Sequence, residues 1–410
     1  MYSTLNRNHH SANKHSFIAS GFHAATHSNY LDLLSAYNSF PPSMSQVNPP
    51  LQIAVYIAAH GFGHFTRTLN LLSLLSHGGK YNFYIRTSSS LHTEPLAYAL
   101  HPSIVQTNPY QLDAKQSLHS LANFDPSLPL AEETKFLKEH NIQATIADAH
   151  SLPCLLAQTV GIPSILITNF TFDSIFQAIL DSDPACTNKA ALQLKIDEMT
   201  HQYALAHSVI RLPGHIPFPF SAPQIIDAPM HSRKALQTQS ETLAGLGLQC
   251  LESKKILLNC FGGHNSDSLS GVPKLPEGWV CISQTIHSPP LFYKISHNVY
   301  MPDLIGACDV VLGKLGWGTC SEVIGNGYKP FIYVPRSAFI EEAGLLRWME
   351  NAHRRIVRLE VDDYESMDWR GAIGEAEKAV TSSSVSAKDW EKDDAELVQI
   401  FVDALEGALN

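Results

Sequence analysis

Hydrophobic positions along the chain alternate between short continuous apolar runs and longer segments with helical spacing. Residues 53–59 are apolar throughout, and Leu69, Leu72 and Leu75 then recur every three residues. Further short apolar runs, separated by segments of helical periodicity, lie at 81–85, 144–147 and 165–167. Strands that are apolar along their whole length and alternate with helices predict a parallel sheet covered on both faces.

The same pattern starts again in the second half of the chain. A proline-dotted stretch at 213–229 and a polar helical segment at 234–246 separate the two halves. The second set of strand-like runs lies at 255–260, 309–312 and 330–334. Each half opens with a strand and a glycine-containing loop. This organisation predicts two α/β domains, each a doubly wound parallel sheet.

The two ends of the chain differ from these halves. The first 48 residues are rich in Ser, Asn and His, with no acidic residue before Asp32, so we expect a disordered tail. Near the end, Leu397, Phe401, Ala404 and Ala408 share one helical face, which predicts a docked amphipathic helix. The predicted divisions are a tail at 1–48, an N-terminal domain at 49–235, a linker at 236–253, a C-terminal domain at 254–388 and a final helix at 389–410.

Composition narrows the class of protein. The 410 residues predict two to three domains, and 44% hydrophobic with 16% charged residues indicates a large buried core. A net charge of −10 without a Lys/Arg cluster argues against nucleic acid as a partner, and no apolar run is long enough for a transmembrane helix. Seven cysteines without CxxC spacing predict reduced thiols in a cytoplasmic protein. The acid-poor tail leaves mitochondrial targeting as the alternative.

The first glycine loop carries candidate chemistry. His60, Gly61, Gly63 and His64 follow the first strand, and Asp148 ends a later one. Because ligand-binding loops lie at the carboxyl ends of parallel strands, we expect His64 and Asp148 on the same rim. A histidine can take a proton from a sugar hydroxyl while a carboxylate fixes its tautomer. A hydrogen-bonded loop histidine without catalytic function is the alternative, and His60 competes for the same role.

The second glycine loop has the features of an anion site. Gly316, Gly318 and Thr319 begin a helix whose free N–H groups and dipole attract a phosphate. Glu322 suits a ribose diol, but Thr319-x-x-Glu322 also fits a capping box. A dinucleotide fingerprint is excluded because Thr66 stands in place of the third glycine of the first loop, and the chain has no P-loop.

A family resemblance connects the two loops. Residues 58–67, Ala-Ala-His-Gly-Phe-Gly-His-Phe-Thr-Arg, resemble the opening of GT-B glycosyltransferases. The likeness is greatest to the glycosyltransferase-like N-terminal half of plant L-arabinokinases. It covers about 51–385 and includes 168–170 with Asp173, 211–214, 261–263, 312–322, 334–336, 341–342 and 346–347. A sugar-kinase domain follows this region in plant arabinokinases, and the chain ends before it, so we expect no kinase activity.

The resemblance implies a role for each motif on the N-terminal side. It implies the GT-B fold, in which two Rossmann-like domains face each other across a cleft and the last helix packs back on the N-terminal domain. It assigns His64 as the general base and Asp148 as its partner. The implied acceptor side consists of His60, Gly61, Gly63, Asn169, Phe170 and Asp173.

The resemblance likewise implies a donor site in the C-terminal domain. The diphosphate of a nucleotide-sugar lies at the helix N-terminus, and Glu322 binds the ribose instead of capping the helix. Glu341 or Glu342 contacts the donor sugar, while Lys314 and Arg336 neutralise phosphate charge. The implied donor set is Gly262, Gly263, Lys314, Gly316, Trp317, Gly318, Thr319, Glu322, Arg336, Glu341 and Glu342.

The resulting prediction is a glycosyltransferase that moves a sugar from a nucleotide-sugar, by resemblance a UDP-sugar, to an acceptor hydroxyl with inversion. It uses no metal or cofactor, because Asp362-Asp363 lies in a late segment and no DxD-type pair occurs in a suitable loop. If His64 is not the base, Asp173 and Asp148 acting alone are the next candidates. The alternatives are a nucleotide-sugar-binding module without turnover and, third, a GT-B epimerase or hydrolase. The acceptor and the oligomeric state stay open.

Overall fold

The chain folds into two α/β domains joined by extensive contacts. The computed structural model describes residues 49–76, 79–261, 269, 272, 274–286, 288, 290–296, 299–352, 355–382 and 390–409. The predicted tail at 1–48 lies outside these residues, as do Gly262 and Gly263. Each domain is built on a parallel sheet with helices packed against it. The predicted fold class is therefore confirmed.

The first domain contains a six-stranded parallel sheet. Its strands, with those of a small hairpin, are β1 (Leu51–Ile57), β2 (Tyr81–Arg86), β3 (Gln106–Asn108), β4 (Gln111–Leu112), β5 (Ala144–Asp148), β6 (Ser164–Thr168), β7 (Ser208–Arg211) and β8 (Gln224–Asp227). The sheet order is β2-β1-β5-β6-β7-β8, and β3 pairs with β4 in antiparallel fashion. Every residue of β5 and β6 is buried, as expected for strands with helices on both faces.

Helices of the first domain follow the strands and cover the sheet. They are α1 (Gly61–Leu75), α2 (Ala114–Asn123), α3 (Ser127–Glu139), α4 (Leu152–Val160), α5 (Phe172–Ser182) and α6 (Lys189–Tyr203). The predicted apolar positions Leu69, Leu72 and Leu75 of α1 are buried. The helix begins at Gly61, where a φ of 74° gives a left-handed conformation that favours glycine. The chain therefore turns sharply from β1 into α1.

The second domain repeats this plan. Its parallel strands are β9 (Lys255–Cys260), β10 (Trp279–Ser283), β11 (Phe292–Lys294), β12 (Val310–Gly313), β13 (Phe331–Tyr333) and β14 (Ile356–Arg358), in the order β11-β10-β9-β12-β13-β14. Its helices, with one in the preceding linker, are α7 (Gln239–Gly245), α8 (Met301–Ala307), α9 (Trp317–Gly325), α10 (Glu341–Ala352), α11 (Val361–Glu365) and α12 (Arg370–Ser382). A 3₁₀ turn, Gln249–Leu251, precedes β9.

Two elements join the domains away from the sheets. The last helix, α13 (Trp390–Leu409), contacts α1, and its residues Leu397, Phe401 and Ala404 are buried. In the turn between β3 and β4, the Tyr110 hydroxyl donates to Glu365 Oε1 of the second domain over 2.6 Å. Between these contacts, the loops at the carboxyl ends of the two sheets face each other.

Candidate active site

His64 and Asp148 form a hydrogen-bonded pair at the rim of the first sheet. His64 lies in the first turn of α1 and Asp148 is the last residue of β5. His64 Nδ1 is 2.7 Å from Asp148 Oδ1, and both residues are buried. Nδ1 also lies 3.0 Å from a terminal nitrogen of Arg67, but the contact with Asp148 is shorter and a carboxylate only accepts, so we assign the hydrogen to Nδ1 and the lone pair to Nε2. The imidazole is thus set up to accept a proton at Nε2.

Asp148 is saturated with donors. In addition to His64, the guanidinium of Arg67 binds both carboxylate oxygens, with Nε 2.9 Å from Oδ2 and one terminal nitrogen 2.5 Å from Oδ1, and Thr68 Oγ1 donates to Oδ2. Burial opposes ionisation, but the charges and hydrogen bonds of Arg67 and His64 outweigh it and hold the pKa of Asp148 well below its usual range. Asp148 is therefore suited to orient the His64 imidazole and poorly suited to act as a base alone.

The backbone just after Asp148 is strained. Ala149 has a φ of 62°, a left-handed conformation that non-glycine residues rarely adopt. Its N–H donates to Ile167 O over 3.2 Å, and its carbonyl accepts the Tyr203 hydroxyl over 2.6 Å. These two bonds hold the turn that ends β5 and so fix the direction of the Asp148 side chain.

An aromatic wall borders the His64 imidazole. The Phe170 ring meets it edge-on at 5.6 Å and in turn contacts Phe172, which stacks on His101. Burial lowers the pKa of His101 to about 4 and that of the neighbouring His150 well below its usual value. Both imidazoles are consequently neutral at physiological pH. The rings of this wall therefore carry no charge at physiological pH, although two of them are imidazoles.

The turn before α9 lies directly opposite α1. Gly316 is the N-cap residue of α9 and has no side-chain cap, so the N–H groups of the first helical turn are not bonded by a capping side chain. A Cβ built on Gly318 would lie 3.6 Å from the Gly63 Cα of the first domain. The two glycine loops therefore meet across the cleft. The capping-box alternative for Thr319 and Glu322 is wrong, because Thr319 lies inside the helix and the N-cap is Gly316.

Glu322 has a partner from the segment that links the domains. Arg233 Nε lies 2.6 Å and a terminal guanidinium nitrogen 2.5 Å from Glu322 Oε1. Burial raises the pKa of Glu322, while the charge of Arg233 opposes that shift. Both contacts fall on Oε1, so Oε2 is the oxygen with remaining capacity to accept a hydroxyl. Trp317, at the start of the same helix, donates from Nε1 to Pro213 O over 3.0 Å.

The acidic pair Glu341-Glu342 is bound to Arg336. Arg336 donates from its backbone N–H to Glu342 Oε1 over 3.0 Å, and its side chain reaches Glu341 Oε2 at 3.3 Å. Glu341 Oε1 also accepts from Asn169 Nδ2 of the first domain over 2.9 Å. Beside them, burial and the charge of Arg336 lower the pKa of Lys314 to about 7, although Glu341 opposes the shift.

The remaining predicted residues divide between the cleft and the interior. The His60 ring stacks at 6.2 Å on that of Phe339, which belongs to the second domain. The carboxylate of Asp173 instead accepts from Thr200 Oγ1 and Ser174 N, both at 2.7 Å, and joins α5 to α6. Among the described residues no group of three or more His, Cys, Asp or Glu could hold a metal, and no described helix could cross a membrane.

Sequence reasoning missed two arginines. Arg67 lies three residues after His64, a spacing that places both on one side of a helix, so helical periodicity could have identified it. Arg233 had no such signal, because its contact with Glu322 joins positions that are 89 residues apart. Together with His231, Trp317, Ser321 and Glu322 they line a small cavity between the domains.

Comparison with known proteins agrees with this architecture. No family model matches the chain. L-arabinokinase of Arabidopsis thaliana is 31% identical over 319 residues, which span 73% of this chain and 30% of that protein. The expected likeness to the glycosyltransferase-like part of an arabinokinase is therefore confirmed, and the chain spans less than a third of that relative's length.

Solved structures identify the fold. The glycosyltransferase of kitacinnamycin has a TM-score of 0.57 at 15% identity and covers 88% of this chain and 100% of its own. A UDP-glucosyltransferase from Polygonum tinctorium has a TM-score of 0.55 at 13% identity, with the same coverage of both chains. A UDP-glucose:anthocyanidin 3-O-glucosyltransferase has a TM-score of 0.54 at 14% identity, with 89% and 98% covered. These proteins are GT-B glycosyltransferases, and the chain has their fold.

Proposed function

Because the chain has the GT-B fold, we propose that it transfers a sugar from a UDP-sugar to an acceptor hydroxyl, with inversion and without a metal. The observation that carries this proposal is the contact of His64 Nδ1 with Asp148 Oδ1 at 2.7 Å, directly across from the N-terminus of α9. A base and an anion-binding helix terminus are the two parts that attack on an anomeric carbon requires.

The proposed reaction starts at His64. Its Nε2 takes the proton of the acceptor hydroxyl while the oxygen attacks the anomeric carbon of the donor. The bond from that carbon to the diphosphate oxygen breaks, and its electron pair leaves with the UDP. Asp148 stabilises the imidazolium formed and keeps the required tautomer, as a carboxylate does in other histidine-dependent sites. The proton passes from His64 to solvent, which resets the base.

The leaving diphosphate is held by the second domain. The free N–H groups at Gly316–Thr319 and the dipole of α9 face its developing charge, and Lys314 supplies a cation. Glu322 accepts from the ribose through Oε2, while Arg233 keeps its other oxygen bonded. Glu341 and Glu342 contact the sugar hydroxyls. In this arrangement protein dipoles and cations replace the usual divalent metal.

The His64→Ala variant tests the proposed base. We expect it to lower sugar transfer by roughly 10²- to 10⁴-fold and to leave UDP affinity within a few-fold, because His64 acts on the acceptor. Calorimetry with UDP gives the affinity, and UDP released from a panel of UDP-sugars with mixed hydroxyl acceptors gives the rate. His119→Ala, on the exposed face of α2, is the matched control and should change neither. Wild-type turnover in His64→Ala would contradict the role of His64.

A second candidate is a nucleotide-sugar-binding module without turnover. It is favoured by one observation: the matched relative is named as a sugar kinase, and this chain corresponds to a part of it. The same two measurements separate the candidates. Tight binding of UDP-sugars without UDP release from any donor and acceptor pair supports the module, whereas release in water alone indicates a hydrolase or epimerase.

A further inference from the structure

Arg67 has no part in the reaction above, yet it lies at the centre of the site. Only 5% of its surface is exposed. Besides its two-oxygen contact with Asp148, it donates to Asn169 Oδ1 over 2.8 Å, and a terminal nitrogen lies 3.0 Å from His64 Nδ1. Its guanidinium also lies 5.5 Å from the centre of the Trp317 ring in the opposite domain.

Arg67 determines the charge that the His64 imidazole experiences. Asp148 and Arg67 contact His64, His101 and His150 interact with its charge, and His231 interacts with that of Asp148. The last three are uncharged at neutral pH, because burial lowers the pKa of each imidazole. The negative charge of Asp148 therefore has one cation to offset it, the guanidinium of Arg67. Without that cation, a buried carboxylate would stabilise the protonated imidazole.

Arg67 also connects the His64–Asp148 pair to the opposite domain. By donating to Asn169 Oδ1 it fixes the orientation of that amide, so the amide N–H₂ points at Glu341 Oε1, 2.9 Å away. A lysine could supply the charge but not the planar two-oxygen contact together with the bond to Asn169. Both features of the guanidinium, its charge and its shape, are therefore used.

We propose that Arg67 is a positioning residue that balances the negative charge of Asp148 beside His64 and aligns that pair with Glu341 across the cleft. The inference rests on the proposed role of His64 as the base. In the proposed reaction Arg67 acts through His64 and Asp148. Its loss should consequently change the pH at which His64 can accept a proton, which a purely structural arginine would not do.

The test measures the protonation of His64 without using sugar transfer. Diethyl pyrocarbonate modifies only the unprotonated imidazole, and mass spectrometry of the peptide containing His64 gives its rate from pH 5 to 9. In Arg67→Met we expect the midpoint of this profile to move to higher pH by one unit or more. Arg67→Gln keeps a donor for Asp148 but loses the charge, so it should move the midpoint in the same direction. It replaces Arg67→Met if that variant does not fold.

A control variant separates charge from packing. Arg86→Met removes an equivalent two-oxygen contact, between Arg86 and the buried Glu133, elsewhere in the first domain. It should not move the His64 midpoint. Identical midpoints in wild type and both Arg67 variants, or an equal shift in Arg86→Met, would overturn the inference.

Sugar transfer is then measured separately. If the midpoint shifts as expected, the acid limb of the pH–rate profile should stay near that of wild type in Arg67→Lys. In Arg67→Gln it should move to higher pH. If wild type binds UDP but transfers no sugar, the proposed function fails, and the midpoint still shows whether Arg67 controls His64. Failure of one is thus distinguishable from failure of the other.

Discussion

At the residue scale, the positions of His64 and Asp148 could be predicted, and so could the side of α1 on which Arg67 lies, but the contacts of Arg67 and Arg233 could not. The two residues are 84 positions apart and meet at 2.7 Å because each follows or ends a strand of the same parallel sheet. Their pairing is thus a consequence of topology. Arg67 contacts both oxygens of Asp148 and Arg233 contacts one oxygen of Glu322, and these contacts depend on side-chain directions that apolar periodicity does not contain.

The lowered pKa of Lys314 predicts that UDP binding is accompanied by proton uptake. Its pKa of about 7 means that it is largely uncharged at pH 8 in the free protein. A bound diphosphate would favour the charged form, so binding should take up between about half and one proton per UDP at pH 8. The affinity for UDP should accordingly fall as pH rises from 7 to 9. Calorimetry in buffers of different ionisation enthalpy measures the uptake directly.

Lys314→Arg is the matched variant for this prediction. Arginine stays protonated throughout this range, so the variant should bind UDP without proton uptake and with little dependence on pH between 7 and 9. Equal heats in all buffers for wild type would show that Lys314 does not change its protonation on binding. Equal uptake in Lys314→Arg would assign the proton to another group.

At the element scale, long apolar strands were predictable and short polar ones were not. The runs at 53–59, 144–147 and 255–260 correspond to β1, β5 and β9, because a strand buried on both faces must be apolar throughout. The hairpin of β3 and β4 gave no such signal, since its residues are mainly polar. It is held by Tyr110, whose ring packs on Phe261 and Tyr364 of the other domain. A tertiary contact of this kind leaves no local periodicity.

Gly313 gives a prediction at the same scale. It ends β12, and a Cβ there would come within 2.2 Å of Cys260 O in the neighbouring β9. Gly313→Ala must push the two strands apart, and we expect a loss of about 1–3 kcal/mol in the free energy of unfolding. Urea denaturation measures it. Gly374→Ala, in α12 with no atom within 4 Å of the added Cβ, should instead stabilise by about 0.5–1 kcal/mol.

At the scale of the whole molecule, the cleft is nearly filled by the protein's own groups. Arg233 binds Glu322, Asn169 binds Glu341 and Pro213 O accepts from Trp317, so three donor-side residues already have partners on the opposite side. The cavity that Arg233, Trp317 and Glu322 line between the domains holds about one water molecule, far less than a nucleotide-sugar fills. Binding of the proposed nucleotide-sugar would therefore require the two domains to move apart.

Gly344 provides a way to favour that opening. It lies in α10 against the first domain, where a Cβ would come within 2.4 Å of Gly214 O and 3.0 Å of His215 O. The added methyl group of Gly344→Ala should clash with the first domain and destabilise the closed arrangement of the two domains by about 1–3 kcal/mol. A ligand that binds only the open form binds more strongly, and associates faster, as the fraction of open protein rises. Gly344→Ala should therefore speed UDP association.

Two measurements on Gly344→Ala test this prediction. Small-angle scattering should give a larger radius of gyration for Gly344→Ala, and stopped-flow fluorescence should give a UDP association rate at least about twofold above wild type. Gly407→Ala, in α13 with open space around the added Cβ, is the control and should change neither. A larger radius with an unchanged rate would mean that opening does not limit binding. An unchanged radius would mean that the contact between Gly214 and Gly344 does not hold the domains together.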